Sequence, residues 1–92
     1  MIDLSSYAEL HKRTDAAYQQ FTEVALVALK ELRKIDAELV QLAIDAYGSA
    51  DAIVIAFAEP TGRDGKSVYS KLAAGQREEV RDALVRMMYG IY

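Results

Sequence analysis

The chain has 92 residues, no cysteine and a formal net charge of −3, with 52% hydrophobic and 27% charged residues. This length suits one domain with a small core, and the lack of cysteine excludes disulfides and thiolate chemistry. The apolar runs are shorter than a transmembrane helix and residues 1–6 do not resemble a signal peptide, so we expect a cytoplasmic protein with no membrane partner.

A long helical pattern occupies the first half of the chain. Ser5 or Ser6 is the predicted N-cap, and Glu9, three residues after Ser6, completes a capping box. A straight helix of about 40 residues would be about 60 Å long and could not fold back on itself. We therefore predict a break within residues 33–36, with Asp36 capping a second helix. The pattern rests on apolar and small residues at steps of three and four, typical of one helix face: Tyr7, Leu10, Thr14, Ala17, Phe21, Val24, Ala28, Leu32, Ile35, Leu39, Leu42 and Ala46.

Residues 24–29 are apolar around the whole helix, which predicts burial on more than one side. The sequence allows two surfaces to bury this segment. One is the rest of the same chain, and the other is a second copy of the protein. In the second case Val24, Leu26 and Val27 are the self-association residues, and the protein is a homo-oligomer.

The second half of the chain contains shorter elements. Gly48 is placed to end a helix and Ser49 to begin the next. Residues 52–58 contain the β-branched run Ile-Val-Ile, but the cap and the alanines favour a helix over a strand. Residues 60–65 form the main loop. Ser67 then caps a short turn ending at Gly75, and a last helix runs from Gln76 to Tyr89 with four residues facing inward: Val80, Leu84, Met87 and Met88.

These elements predict the fold class. We expect an all-α protein, a small bundle of four to five helices with a long N-terminal helix or helical hairpin. Residues 1–92 form a single helical domain in this interpretation. Residues 1–38 are its helical oligomerisation region.

One motif resembles a phosphate-binding loop without meeting its requirements. Gly65-Lys66-Ser67 follows an apolar segment, as in the P-loop pattern Gly-x-x-x-x-Gly-Lys-Ser/Thr. The first glycine of that pattern falls on Pro60, which has no N–H to offer a phosphate and cannot adopt a positive φ. Glu59 beside it would repel phosphate. We therefore do not predict nucleotide binding.

The sequence offers no catalytic, metal or cofactor residues, so we expect a protein that is not an enzyme. His11 is the only histidine, which excludes a His-based metal site or catalytic triad within one chain. The acids of the last helix are interleaved with arginines, as on a salt-bridged helix surface. No concentrated basic face is visible, so we expect no direct nucleic-acid binding.

A succession of short motifs runs through the C-terminal half: Leu42-Ala43, Tyr47-Gly48, Pro60, Asp64-Gly65-Lys66-Ser67, Leu72, Val80, Leu84 and Tyr89-Gly90-Ile91. Through these motifs residues 39–92 resemble the toxin-binding domain of Xre/MbcA/ParS-type antitoxins. That family shows an Ala-containing helix ending near a Gly, a helix with Trp-Leu, a Pro and a loop closing in Asp-Gly-Arg-Ser-Pro. A short Leu-containing helix, a Gly and a Val-x-x-x-Leu helix ending in aromatic-Gly-aliphatic follow. This chain has Ala56-Phe57 in place of Trp-Leu, Val68 in place of the Pro and Arg63 in place of a Leu.

The resemblance implies a function. The cognate toxins carry a RES domain that consumes NAD or transfers from it, and the antitoxin blocks that site with its C-terminal end. We expect the aromatic tail of this chain to enter such a cleft, because clefts of that kind accept aromatic, anionic ligands. The partner-binding residues would be Lys66, Ser67, Arg86, Tyr89, Gly90, Ile91 and Tyr92.

Two other interpretations remain open. Residues 36–59 carry five acids and no base, which suits a small phage or mobile-element inhibitor, of the anti-CRISPR kind, that covers a basic surface of a host protein. In the second interpretation, the chain is a structural helical module that only self-associates. The surface that binds distinguishes these cases: the tail for an antitoxin, the acidic segment for an inhibitor.

Overall fold

The computed structural model describes residues 3–60 and 64–90, which form helices and connecting turns without any strand. The predicted all-α bundle with a long N-terminal helix is therefore confirmed. Its helices are α1 (Leu4–Ile35), α2 (Ala37–Tyr47), α3 (Ala50–Ala58), α4 (Val68–Ala73) and α5 (Arg77–Met88).

The first helix begins earlier than predicted. The carboxylate of Asp3 accepts a hydrogen bond from the backbone N–H of Ser5 at 3.0 Å and another from the Ser5 hydroxyl at 2.6 Å. Asp3 is therefore the N-cap, and the prediction of a cap at Ser5 or Ser6 is wrong, because the Asp3 carboxylate two residues before Ser5 already accepts from the helix N-terminus. Glu9 instead forms an ion pair with Arg13 one turn further on, at 3.3 Å.

The predicted break at Asp36 is confirmed. Asp36 leaves the helical conformation, with φ −151° and ψ 66°, while its N–H still donates to the carbonyl of Leu32 at 2.7 Å. Its carboxylate accepts from the backbone N–H of Leu39 at 3.3 Å. One residue thus ends α1 and caps α2.

The turn from α2 to α3 also follows the prediction. Gly48 has φ +95°, a left-handed conformation that glycine adopts without steric cost, and Ser49 accepts a hydrogen bond from the N–H of Ala52 at 3.2 Å. Residues 50–58 are helical, as favoured over a strand. The axes of α2 and α3 turn by 107° at this point, so both helices can face a common core.

The core lies where α2 and α3 meet the later helices. Leu39, Ala43, Ile53 and Phe57 are fully buried, because α2 packs on α3 and α5 while α4 bridges α3 and α5. The Phe57 ring meets the ring of Tyr69 edge-on, with centroids 6.1 Å apart. Such an arrangement suits the quadrupoles of both rings. From α5 the core receives Val80 and Leu84.

The first part of α1 extends beyond this core. All residues from 3 to 20 are exposed, and α1 contributes only Ala25, Leu29 and Leu32 to the buried core. A helix of 32 residues is about 48 Å long, which accounts for most of the 52 Å maximum dimension of the described chain. We call residues 4–20 the arm and the remaining helical part the body.

Candidate partner-binding surfaces

The end of α5 presents an aromatic residue to solvent. Tyr89 follows the helix and is 75% exposed, with its N–H bonded to the carbonyl of Val85 at 3.3 Å. Gly90 has φ +69°, and its N–H donates to the carbonyl of Met87 at 3.2 Å. A glycine in this left-handed conformation commonly ends a helix. Ile91 and Tyr92, also predicted as partner-binding residues, lie outside the described residues.

The last turn of α5 adds a cation and a second apolar side chain to this end. Arg86 is exposed, as its predicted role requires. Met88 was predicted to face inward, but it is 42% exposed, because Val80 and Leu84 already fill the core side of this short helix. We call Arg86, Met88, Tyr89 and Gly90 the α5 tip. An exposed aromatic and a methionine beside an arginine match the composition of protein interfaces.

Lys66 and Ser67 lie before α4. The Ser67 hydroxyl accepts from the N–H of Ser70 at 3.1 Å, so this serine caps α4. The N–H of Lys66 donates to the carboxylate of Asp64 at 3.1 Å, and this bond is the main reason why the pKa of Asp64 is lowered. In residues 3–60 and 64–90 no hydrogen bond or ion pair joins Lys66 or Ser67 to the α5 tip. The predicted partner-binding residues therefore form two groups.

A shallow hollow of about 110 Å³ lies between α4 and α5. Its wall includes Val68, which follows Ser67 directly, and Met87, which lies in the last turn of α5. Lys71 and Glu79 supply its charged side chains. The rest of the lining is mostly apolar and comes from Tyr47, Phe57, Val80, Ala83 and Leu84. An apolar side chain of a partner is the ligand that this lining suits.

An ion pair that the sequence reasoning missed fixes the other end of α5. Arg77 donates to Asp36 through Nε at 2.7 Å and through a terminal nitrogen at 3.0 Å. These bonds hold the pKa of Asp36 below its usual range and raise the pKa of Arg77. The residues are 41 positions apart, and no local pattern in the sequence links them.

The acidic segment is partly neutralised by α5. Asp36 pairs with Arg77, and Glu38 lies 3.7 Å from Arg81. Asp45 accepts a hydrogen bond from the side chain of Gln41 at 3.0 Å. The remaining acids of the segment lie on α3, Asp51 in its first turn and Glu59 at its end. The five carboxylates are thus divided between two helices that turn by 107°.

The self-association residues are exposed in the single chain. Val24 is 62% exposed, and Leu26 and Val27 are exposed too. The prediction that residues 24–29 are buried on more than one side is therefore wrong for the isolated chain, since only the side of Ala25 and Leu29 meets the body. Leu26 lines a separate hollow of about 150 Å³ over α2 and α3, whereas Val24 continues the apolar side of the arm.

In the part of the chain that the structure describes, no group of three or more His, Cys, Asp or Glu side chains could hold a metal ion. No single helix there is long and apolar enough to cross a membrane, and α2 with α3 passes that test only as a bent pair. Comparison with known protein families, curated proteins and solved structures gives no match.

Proposed function

We propose that this protein is an antitoxin-like binding module that neutralises a RES-type, NAD-consuming toxin. In this proposal residues 86–92 occupy the substrate cleft of the toxin, and the groups around Lys66 and Ser67 contact its rim. The protein itself performs no chemistry.

The order of the elements in the body supports the proposal. A helix ends at Gly48, α3 leads to Pro60, and Asp64-Gly65 precedes the short α4. Gly75 has φ +81° and separates α4 from α5. This is the succession of helices, loop and glycines that the antitoxin resemblance implies. The agreement extends over residues 39–90 as far as they are described.

The observation that carries the proposal is the exposed Tyr89 followed by a left-handed Gly90. The tyrosine is three-quarters exposed, and the glycine has φ +69°, a left-handed conformation that glycine adopts without steric cost. An exposed tyrosine that enters a desolvated pocket is a typical anchor of protein interfaces. Losing such an anchor costs about 2 kcal/mol or more, on the order of a 30-fold loss of affinity.

The test is co-expression with a RES-domain toxin, which we expect to be encoded beside this chain, while growth and NAD level are followed. The full-length chain should preserve both, and the Tyr89→Ala variant should protect poorly. Ile35→Ala is the control, since Ile35 is a large apolar residue that is 82% exposed but lies at the end of α1, away from the α5 tip. Equal protection by the two variants would contradict the proposal.

Charge reversal separates the antitoxin from the acidic-surface inhibitor. Glu38, Asp45 and Asp51 are exposed and suit this purpose, whereas Asp36 does not, because it holds α5 in place. The antitoxin proposal expects little effect from reversing these three charges. Reversal of these charges could instead abolish activity while Tyr89→Ala leaves the activity intact. The inhibitor interpretation would then replace the antitoxin proposal.

A further inference from the structure

Helix α1 carries apolar and small residues, along the arm and the two turns after it, at the spacing of a coiled-coil seam. Positions alternate by three and four residues from Tyr7 to Ala28, the a and d positions of successive heptads. Asp3 and Glu31 occupy the next seam positions on either side, so charged residues bound the pattern. The a positions are Tyr7, Thr14, Phe21 and Ala28, and the d positions are Leu10, Ala17 and Val24.

Nothing in the described chain covers this seam along the arm. Tyr7 and Leu10 are more than half exposed, and α1 packs on α2 and α3 only through its later turns. A helix in a protein takes most of its stability from packing of its apolar side rather than from intrinsic helix propensity, so α1 gains stability when another surface covers that side. We therefore expect a second helix to cover the seam.

We propose that this second helix is α1 of another copy, paired antiparallel about a two-fold axis between Asp15 and Ala16. This axis places every a residue opposite a d residue, as an antiparallel pair of helices requires. Tyr7 meets Val24, Leu10 meets Phe21 and Thr14 meets Ala17, each twice. Large residues thus fill the outer layers and small ones the centre. The inference does not depend on the proposed function, because it concerns residues that the α5 tip does not contact.

The flanking residues agree with this pairing. Residues beside the seam meet their counterparts across the axis, which brings Arg13 near Gln20 and His11 near Tyr18. No like charges face each other, so pairing carries no repulsion. The hydroxyl of Thr14 already donates to the carbonyl of Leu10 at 3.0 Å, and covering it leaves no hydrogen bond unmade.

The position of the body favours the antiparallel orientation. Ala25 lies beside the seam and is only 2% exposed, because the body packs against that edge of α1. A parallel pair would bring both bodies to the same end of the paired helices, side by side along this covered edge. The antiparallel pair keeps the bodies apart, and only the tip of each arm approaches the body of the other copy.

The first test measures mass by light scattering or sedimentation. The wild-type chain should be a dimer of about twice 10.2 kDa. Leu10→Glu should shift it to the monomer, since Leu10 is 56% exposed and its replacement disturbs no core contact. Gln19→Glu adds the same charge on the opposite side of the helix and should leave the dimer intact. A wild-type monomer at all concentrations, or a dimer that survives Leu10→Glu, would overturn the proposal.

The second test determines the relative orientation of the paired helices. It introduces single cysteines into a chain that has none of its own. Tyr7→Cys and Val24→Cys chains are oxidised separately and as a mixture. Antiparallel pairing predicts a disulfide-linked dimer only in the mixture, because residue 7 lies opposite residue 24 and far from its own counterpart. A parallel pair would instead cross-link Tyr7→Cys with itself, which would contradict the proposed axis.

Discussion

Arg77 binds Asp36 through two hydrogen bonds that join the first turn of α5 to the corner between α1 and α2. The same carboxylate caps α2 by accepting from Leu39. A cation in the first turn of a helix is ordinarily unfavourable, and Asp36 supplies the negative charge that offsets it. One carboxylate therefore sets the relative position of three helices.

Substitution of Asp36 should separate its two tasks. Asp36→Asn retains a good N-cap but loses the charge that Arg77 binds, whereas Asp36→Ala loses both. We expect Asp36→Ala to be the less stable variant by about 1 kcal/mol, the usual contribution of a cap. Urea denaturation followed by circular dichroism measures the difference. Equal stability of the two variants would mean that Asp36 does not act as a cap in solution.

The contribution of the Asp36 charge should depend on pH. Its pKa is lowered in the folded chain, chiefly by the hydrogen bond from Arg77, so the unfolded chain binds the proton more readily. The advantage of wild type over Asp36→Asn should be complete above the unfolded pKa of about 3.9 and disappear as the pH falls through the lower folded value. Unfolding measured between pH 7 and pH 2 tests this, and a difference that grows toward acid pH would contradict it.

Phe57 should be the most costly core residue to remove. It is fully buried and contacts the edge of the Tyr69 ring, so Phe57→Ala leaves a cavity that neighbouring side chains refill only in part. We expect a loss of about 3–5 kcal/mol, enough to unfold a marginal domain. Tyr89→Ala, which removes an exposed ring, should change stability by no more than about 0.5 kcal/mol. A comparable loss for both variants in thermal unfolding would show that Tyr89 is buried in solution.

Substitution of Gly48 should destabilise the protein because of the backbone conformation at this position alone. Its φ is +95°, and a Cβ built there meets no atom within 4 Å. Gly48→Ala should therefore cost about 1–2 kcal/mol through strain without any clash. Gly48→Asn should cost less, because asparagine tolerates the left-handed conformation. The measurement is the melting temperature, which should be highest for wild type, lower for Gly48→Asn and lowest for Gly48→Ala. An unchanged melting temperature for Gly48→Ala would show that the backbone at this position is not strained by a Cβ.

The body should fold without the arm. Every core residue follows position 24, so a chain of residues 20–92 should keep a cooperative unfolding transition. A chain of residues 33–92 is the contrast, since it also loses Ala25, Leu29 and Leu32 and should be far less stable. Differential scanning calorimetry of both fragments tests this. Loss of the transition in the longer fragment would show that the arm supports the body directly.

Local signals in the sequence predicted most of the helix boundaries. Asp36, Gly48 and Ser49 act at their own positions through capping or backbone conformation, and such effects are visible from the residue type and its neighbours. Asp3 was missed because the two serines after it are also good caps. Which of these neighbouring residues caps the helix depends on the backbone conformation at each position, and the sequence pattern does not contain that information.

Tertiary relationships were harder to predict. Periodicity showed that one side of α1 is apolar, but it could not show that the body covers Ala25 and leaves Leu10 exposed. The same limitation applies to Met88, which has the spacing of a core residue at a place where the core ends. The bond between Arg77 and Asp36 joins distant segments and depends on the angles between helices. For the candidate site, the sequence pattern located the α5 tip but not the hollow between α4 and α5.

The length of α1 has a consequence for stoichiometry. If arms pair as proposed, Phe21 of each copy lies opposite Leu10 of the other, so the two bodies begin roughly 16 Å apart along a common rod. Each body then carries its own α5 tip at a separate end of a bivalent particle. Two partners would bind independently in a 2:2 complex, and avidity would arise only toward partners that are themselves paired or clustered.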